Sequence, residues 1–393
     1  MARIFISTGE VSGDLQGALL VKALRRQAAE RGIDLEILAL GGDRMAAAGA
    51  TLLENTTAVG SIGIFESLPY VLPTLSIQRR AKAYLREHPP DLVVMIDYLT
   101  PNLAMGQFAR SALPGVPTVY YIAPQEWVWS AGAGNTRRII QNSDEIFAVF
   151  PEEATYYKKW GVHVTYLGHP LVDQVASFPS REAARQALEI PPEQVAIAFI
   201  PASRRQEVTY LLPVMAEAAQ QIQSALPNAH FWIPVSQAAF RSALEETVQR
   251  FELQATLMDQ ASQTVIAAAD LALTKSGTVN LELALMNVPQ VVAYRLNPVT
   301  AWIARTLLNF SIPYMSPTNL VLMEDIVPEF LQDRATPETL SNEALTLLQN
   351  DAARQRMLSG YQRVQQAMGE LGVCDRLAVR LFEIMAATSS PAN

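Results

Sequence analysis

Short continuous apolar runs alternate along this chain with longer segments in which apolar residues return every three or four positions. Runs of the first kind read as strands buried on both faces, and the longer segments as amphipathic helices, so the pattern predicts parallel sheets covered by helices. Strands are expected over residues 4–8, 35–40, 92–96, 118–122 and 145–149, with a short one inside 161–168. The first helix follows the loop Gly9–Asp14, with Leu15, Ala18, Leu19, Lys22, Ala23 and Arg26 at helical spacing. A stretch over 170–192 holds Pro179, Pro191 and Pro192 and reads as a crossing between domains. The alternation then restarts: a strand over 195–200, a helix from about 209 to 225, a strand over 230–235, a helix over 238–250, and strands over 271–273 and 290–293. From residue 335 the pattern is helical, and the tail over 389–393 is expected to fray. No short fixed-period repeat interrupts it. The expected fold is α/β, with two doubly wound Rossmann-like domains facing a cleft and a boundary at 170/171.

Composition narrows the class. The 393 residues exceed what one core organises, and a 50% apolar content is enough for two. A net charge of −8 without a basic stripe argues against nucleic acid as a partner. The single Cys374 excludes a disulfide framework, and His88, His163, His169 and His230 lack the spacing of a metal cage, so neither metal nor cofactor is expected. Met1-Ala2-Arg3 leads straight into an apolar run too brief for a signal peptide, and no apolar stretch approaches the roughly 18 residues of a membrane span. The expectation is a cytoplasmic chain.

Three strand ends carry the candidate chemistry. At 273–282 an apolar strand opens through Lys275 into Ser276-Gly277-Thr278 and then a helix. Backbone N–H groups of Ser276, Gly277 and Thr278 are expected to point outward unpaired as a phosphate seat, with Glu282 one turn on and facing ribose hydroxyls; a capped strand-to-helix turn has the same sequence. The run 195–200 delivers Pro201-Ala202-Ser203-Arg204-Arg205 to its carboxyl end. Arg204, nearest the strand, suits a diphosphate, whereas Arg205 suits pairing with Glu207. The third is Asp97, which ends an apolar strand where a carboxylate serves either as a general base or as a turn residue with Pro101 and Asn102. The loop Gly9–Asp14 stands where a dinucleotide-binding loop would, but it lacks the third glycine and carries two acids, Glu10 and Asp14, which suit sugar hydroxyls better than pyrophosphate; Ser12 or Asp14 also suits a helix cap.

Read in order, Gly9–Asp14, Ile96-Asp97 with Asn102, the run Tyr120–Trp129, Gly168-His169-Pro170, Pro201–Arg204, Ser276–Thr278 with Glu282, Tyr294–Pro298 and Val327–Gln332 make the chain resemble the lipid-A-disaccharide synthases over nearly its whole length. The resemblance implies a GT-B glycosyltransferase that inverts at the anomeric carbon. Its donor would be UDP-2,3-diacylglucosamine and its acceptor 2,3-diacylglucosamine 1-phosphate (lipid X), joined by a β-1,6 linkage with release of UDP. It implies Asp97 and Glu10 as catalytic residues, and Arg204, Ser276, Gly277, Thr278 and Glu282 around phosphate and ribose. Tyr294, Arg295, Asn319 and Glu329 would complete the nucleotide end, and Ser12, Asp14, Asn102 and Gln125 the acceptor side. By analogy with that architecture, helices over about 345–393 return to the first domain and leave 171–344 as the second. The chain departs from the family at Leu99-Thr100, where a second acid is usual, at Ala202, where glycine is usual, and at Glu126.

Acylated substrates imply peripheral contact with the inner leaflet of the cytoplasmic membrane. The apolar stretch 63–77, followed by Arg79, Arg80 and Lys82, suits an anionic interface, and it equally suits a core helix with a solvated basic end. A second apolar patch, Trp302, Ile303, Leu307, Leu308, Phe310, Ile312 and Tyr314, suits acyl chains or a homodimer contact. Alternative readings are a related UDP-sugar transferase with another lipid acceptor, a UDP-N-acetylglucosamine 2-epimerase-like enzyme and a non-catalytic nucleotide-sugar binder. The epimerase chemistry needs several acids that the sequence does not assemble.

Overall fold

The computed structural model describes residues 1–9, 11–57, 71–130, 132–259, 261–297 and 312–389. The chain forms two compact units, Met1–Asp173 with Met368–Asn393, and Gln174–Ala367.

In the first unit seven strands, β1 (Ala2–Ser7), β2 (Leu35–Gly41), β3 (Thr51–Asn55), β4 (Leu92–Ile96), β5 (Thr118–Tyr121), β6 (Glu145–Ala148) and β7 (His163–Tyr166), form one sheet in the order 3-2-1-4-5-6-7. Every pairing is parallel, with Ser7 opposite Leu40 on one side and Met95 on the other. The helices between strands are α1 (Val11–Glu30), α2 (Asp43–Ala47), α3 (Val71–Glu87), α4 (Leu99–Ala112), α5 (Ala133–Gln141) and α6 (Pro151–Lys158). β1 and β4 are covered on both faces, so Ile4, Phe5, Ile6 and the whole of β4 are buried, which is why these strands read as unbroken apolar runs.

The second unit opens with α7 (Leu171–Val175), which straddles the boundary, and α8 (Arg181–Ala187), so the proline-marked crossing is partly helical. Its strands are β8 (Val195–Ile200), β9 (Ala229–Val235), β10 (Ala255–Asp259), β11 (Leu271–Lys275), β12 (Gln290–Tyr294) and β13 (Glu329–Leu331). They form a second all-parallel sheet, 10-9-8-11-12-13. Its helices are α9 (Arg205–Tyr210), α10 (Leu212–Ala225), α11 (Arg241–Arg250), α12 (Ser262–Ala268), α13 (Val279–Leu285), α14 (Pro317–Leu322), α15 (Pro337–Gln349) and α16 (Asp351–Met368). The helix expected from 209 is therefore two helices that meet at Leu211, with Pro213 in the first turn of the second.

α16 counts almost wholly with the second unit, and α17 (Val373–Ser389) returns to the first. Asp173 takes the N–H groups of Gly372 (2.6 Å) and Cys374 (2.9 Å), which caps α17, and Arg26 forks onto Asp375 at 2.6 Å. The three strands that the apolar pattern did not disclose, β3, β10 and β13, are the outer members of their sheets and are only partly buried. No helix among the described residues is long and apolar enough to cross a membrane.

Candidate functional site

Each sheet reverses its strand order once, between β1 and β4 in the first unit and between β8 and β11 in the second. In open parallel sheets ligands collect beyond the carboxyl ends of the strands at such a reversal. Asp97 follows β4, the loop at Gly9 follows β1, Arg204 follows β8, and Ser276 follows β11. The candidate residues thus fall at the two places that topology selects, and each place is described by itself.

At the first, Asp97 and Tyr98 both adopt left-handed backbone conformations, with φ of 44° and 54°. Two consecutive non-glycine residues there cost on the order of 1–3 kcal/mol each, so something must hold them. Asn102, wholly buried, does so. Its Nδ2 donates to the carbonyl oxygens of Asp97 (2.7 Å), Ile96 (3.0 Å) and Ser7 (3.2 Å), while its Oδ1 accepts the Ser7 hydroxyl at 2.7 Å. The Asp97 N–H donates to Ile122 O at 3.0 Å, and Tyr120 Oη donates to the Asp97 carbonyl at 3.2 Å. Asp97 is thus pinned through its backbone. A methyl group on Gly9 would lie 2.0 Å from the Tyr98 ring, so only glycine lets that ring cover the end of β1.

Two of the acceptor-side residues are engaged by protein atoms. Asp14 is buried, and its carboxylate accepts N–H groups from Gly42 (2.8 Å), Arg44 (3.1 Å) and Met45 (3.1 Å), which holds the start of α2. Asn102 is likewise engaged by protein atoms and acts on Asp97 from within. Ser12 is half-buried in the first turn of α1, Gln125 is exposed, and Glu10 lies outside the described residues. Glu126, the departure beside Gln125, binds Ser130 (2.7 Å) and Asn135 (3.0 Å) and so shapes the loop before α5.

Behind Asp97 sits Glu153, wholly buried, which accepts N–H groups of Ala123 (2.9 Å) and Val149 (2.8 Å) from the ends of neighbouring strands. Burial raises its pKa to about 7 against the opposing pull of those donors, and the Asp97 charge adds to the rise. Nothing in the residue pattern marks this, because an acid in the first turn of a helix reads as a solvated cap.

At the second place, Glu207 rather than Arg205 organises the loop. Its carboxylate accepts the N–H groups of Ser203 (2.6 Å) and Arg204 (3.0 Å) and stands 3.6 Å from the Arg204 guanidinium, while Arg205 is exposed. The pairing expected for Arg205 belongs to Arg204. Tyr294, at the end of β12, feels both charges, and burial pushes its pKa up to about 12.

The turn after β11 also differs from expectation. The Ser276 N–H donates to Ala293 O (3.1 Å) and the Gly277 N–H to Asn280 Oδ1 (2.8 Å), so two of the three amides expected to be unpaired are engaged. The Ser276 hydroxyl donates to Met315 O (2.8 Å), Thr278 is half-buried, and Glu282 in the first turn of α13 accepts Gln174 Nε2 at 3.3 Å. Asn319 is wholly buried and engaged by Ile326 N, Val327 N and Val327 O, all within 2.9 Å. Glu329 accepts the Met315 and Ser316 N–H groups (3.0 and 2.7 Å) and thereby fixes the segment that meets Ser276. Arg295 donates to Gln332 O at 3.2 Å. Asn319 and Glu329 thus build the wall of this place. Of the apolar patch near 302–314, all but Ile312 and Tyr314 lies outside the described residues.

Comparison with known proteins agrees in fold and separates the chemistries. A family model described as lipid-A-disaccharide synthetase matches residues 4–378. The lipid-A-disaccharide synthase of Gloeothece citriformis is 54% identical over 381 residues, covering 97% of this chain and 99% of that protein. That of Synechocystis sp. is 50% identical over 383 residues, covering 97% of each. A UDP co-structure of MnaA from S. aureus is similar in fold, with a TM-score of 0.68 over all of both chains, at 13% identity. Both sheets and their order are of the GT-B type, and the full-length match at about half identity decides among the proteins that share it: this chain belongs to the lipid-A-disaccharide synthase family, and is a glycosyltransferase.

Proposed function

We propose that the donor, UDP-2,3-diacylglucosamine, is held by the second unit at the ends of β8, β11 and β12, and that Asp97 of the first unit is the base that activates lipid X. The transfer is that of the family: the acceptor 6-hydroxyl attacks the anomeric carbon, the bond from that carbon to the β-phosphate oxygen breaks with its electron pair, and UDP leaves as the β-1,6 linkage forms with inversion. Asp97 takes the hydroxyl proton. Arg204 meets diphosphate charge, Ser276 to Thr278 form the floor beneath it, Glu282 and Tyr294 lie beside the ribose and base, and Arg295 closes the nucleotide end.

One observation carries this reading. The backbone of Asp97 is held left-handed at the strand-order reversal by a wholly buried side chain that also ties the ends of β1 and β4 together, an arrangement expected where an acid must be aimed. The test is incubation of the purified chain with UDP-2,3-diacylglucosamine and lipid X, read by mass spectrometry as a disaccharide 1-phosphate. Asp97→Asn should lower kcat by about 100-fold or more while UDP affinity stays within about twofold. Unchanged turnover in that variant would remove Asp97 from the reaction.

The first turns of α3 support contact with the membrane from which both lipids come. Leu72 is 77% exposed and Val71 and Leu75 are exposed beside it, followed by exposed Arg79 and Arg80. The later residues Ile77, Ala81 and Leu85 are core, and the part of the apolar stretch over 63–70 lies outside the described residues. Vesicles of anionic phospholipid should sediment the chain, and Leu72→Asp should release it.

A further inference from the structure

The turn after β11 has an electrostatic gap at the place where a diphosphate is read. The Ser276 and Gly277 amides are already bonded inside the protein, and α13, with seven residues, adds little field of its own. The positive charge for a phosphate must therefore come from side chains. Arg204 is one. The other is Lys275, the last residue of β11, which the sequence shows only as the end of an apolar strand.

Lys275 is 8% exposed, and a lysine so deeply placed requires a counter-charge. Its side chain folds back over the turn, so that a methyl group built on Gly277 would lie 2.3 Å from Nζ. Gly277, by lacking a side chain, thus leaves the room at the turn that the ammonium occupies. The charges that act on the ammonium are those of Glu207 from α9, Glu282 from α13 and Arg204 from the loop after β8. Glu207 already serves the Ser203 and Arg204 amides and Glu282 accepts Gln174, so both carboxylates are shared. β8 and β11 are neighbours in register, with Ile200 opposite Thr274, so the residues after their ends emerge side by side.

We propose that the Lys275 ammonium is a second cation on the diphosphate, beside Arg204, and receives the charge that develops on the β-phosphate as the glycosyl bond breaks. This rests on the assignment of the donor to the second unit. In the absence of nucleotide, burial lowers the Lys275 pKa, and a bound diphosphate restores the charged form.

The test compares UDP with UMP, which lacks the β-phosphate, by titration calorimetry on the full chain. Lys275→Met should weaken UDP about tenfold, near 1.4 kcal/mol, while UMP changes less than about twofold. A purely structural lysine would weaken both alike or neither, and either result overturns the proposal. Wild-type chain that binds no UDP overturns the donor assignment as well, whereas wild-type binding with an unaffected Lys275→Met variant overturns the lysine alone. A second measurement needs no variant. As pH rises, the ratio of UDP to UMP affinity in the wild type should fall before the ordinary lysine range is reached. The charged groups that act on Lys275 are Glu207, Glu282 and Arg204, and Tyr294, whose pKa burial pushes up to about 12, lies above that range. A flat ratio overturns the proposal.

Discussion

Asn102 Nδ2 lies 2.7 Å from the carbonyl oxygen of Asp97, and this one bond links a wholly buried amide to the residue proposed as the base. The same amide ties Ser7 at the end of β1 to Ile96 at the end of β4, so it sets the spacing of the two strands at the order reversal. Removing it leaves several buried polar groups without partners. Asn102→Ala should therefore lower unfolding free energy by about 3 kcal/mol and reduce kcat in the enzyme that remains folded. Urea titration together with kinetics at a temperature where both forms are folded would check it. Lost stability with an unchanged kcat would show that Asp97 keeps its place without Asn102.

Asp14 makes a contrasting prediction, because it sits in a loop-proximal motif yet holds α2. Asp14→Ala would strand the buried N–H groups of Gly42 and Met45 and cost about 2 kcal/mol of stability. The acceptor KM of the folded variant should stay within about twofold of wild type. A raised KM with an unaltered melting temperature would return Asp14 to the acceptor.

How far these roles were legible depends on how much a residue's chemistry is decided locally. β1, β4, β8 and β11 were readable because strands buried on both faces must be apolar throughout, whereas the outer strands β3, β10 and β13 share their residue types with loops. The positions of Asp97 and Arg204 beyond β4 and β8 were readable because a charged residue directly after such a run stands out. The engagement of Asp14 was not, since a carboxylate that takes backbone N–H groups looks like one open to a ligand until the partners, 28 to 31 positions away, are known. Lys275 was hidden by its setting: an ammonium at the end of an apolar strand is unremarkable until Gly277 shows where it lies.

Gly168 tests the crossing between the body of the first unit and its returning helix. Its φ is 93°, and a methyl group there would stand 2.6 Å from the Met368 carbonyl oxygen, which accepts the His169 N–H at 2.8 Å. Both the backbone conformation and the contact exclude a side chain. Gly168→Ala should cost roughly 2–4 kcal/mol and expose the segment around Met368 to protease. A variant as stable and as resistant as wild type would mean that the crossing yields without strain.

His169, one position on, predicts a dependence on acid. It is 4% exposed, its ring meets Phe150 edge-on at 5.3 Å, and its Nδ1 accepts the Leu171 N–H at 3.2 Å, which requires a neutral ring. Burial alone lowers its pKa from 6.5 to about 3. Between those values the unfolded chain carries the proton and the folded chain does not, so the unfolded state binds more protons. Stability from this group is therefore complete above 6.5 and declines as pH falls towards 3. At about 1.4 kcal/mol per unit, moving from neutral pH to about 4.5 should cost roughly 3 kcal/mol. His169→Asn offers Leu171 an acceptor that does not titrate, and it should remove most of that decline while costing some stability at neutral pH. Urea unfolding of wild type and variant at the two pH values, followed through the first unit's tryptophans Trp127, Trp129 and Trp160, decides the matter. If the two proteins lose stability in parallel on acidification, the acid sensitivity belongs to other groups and His169 is not its source.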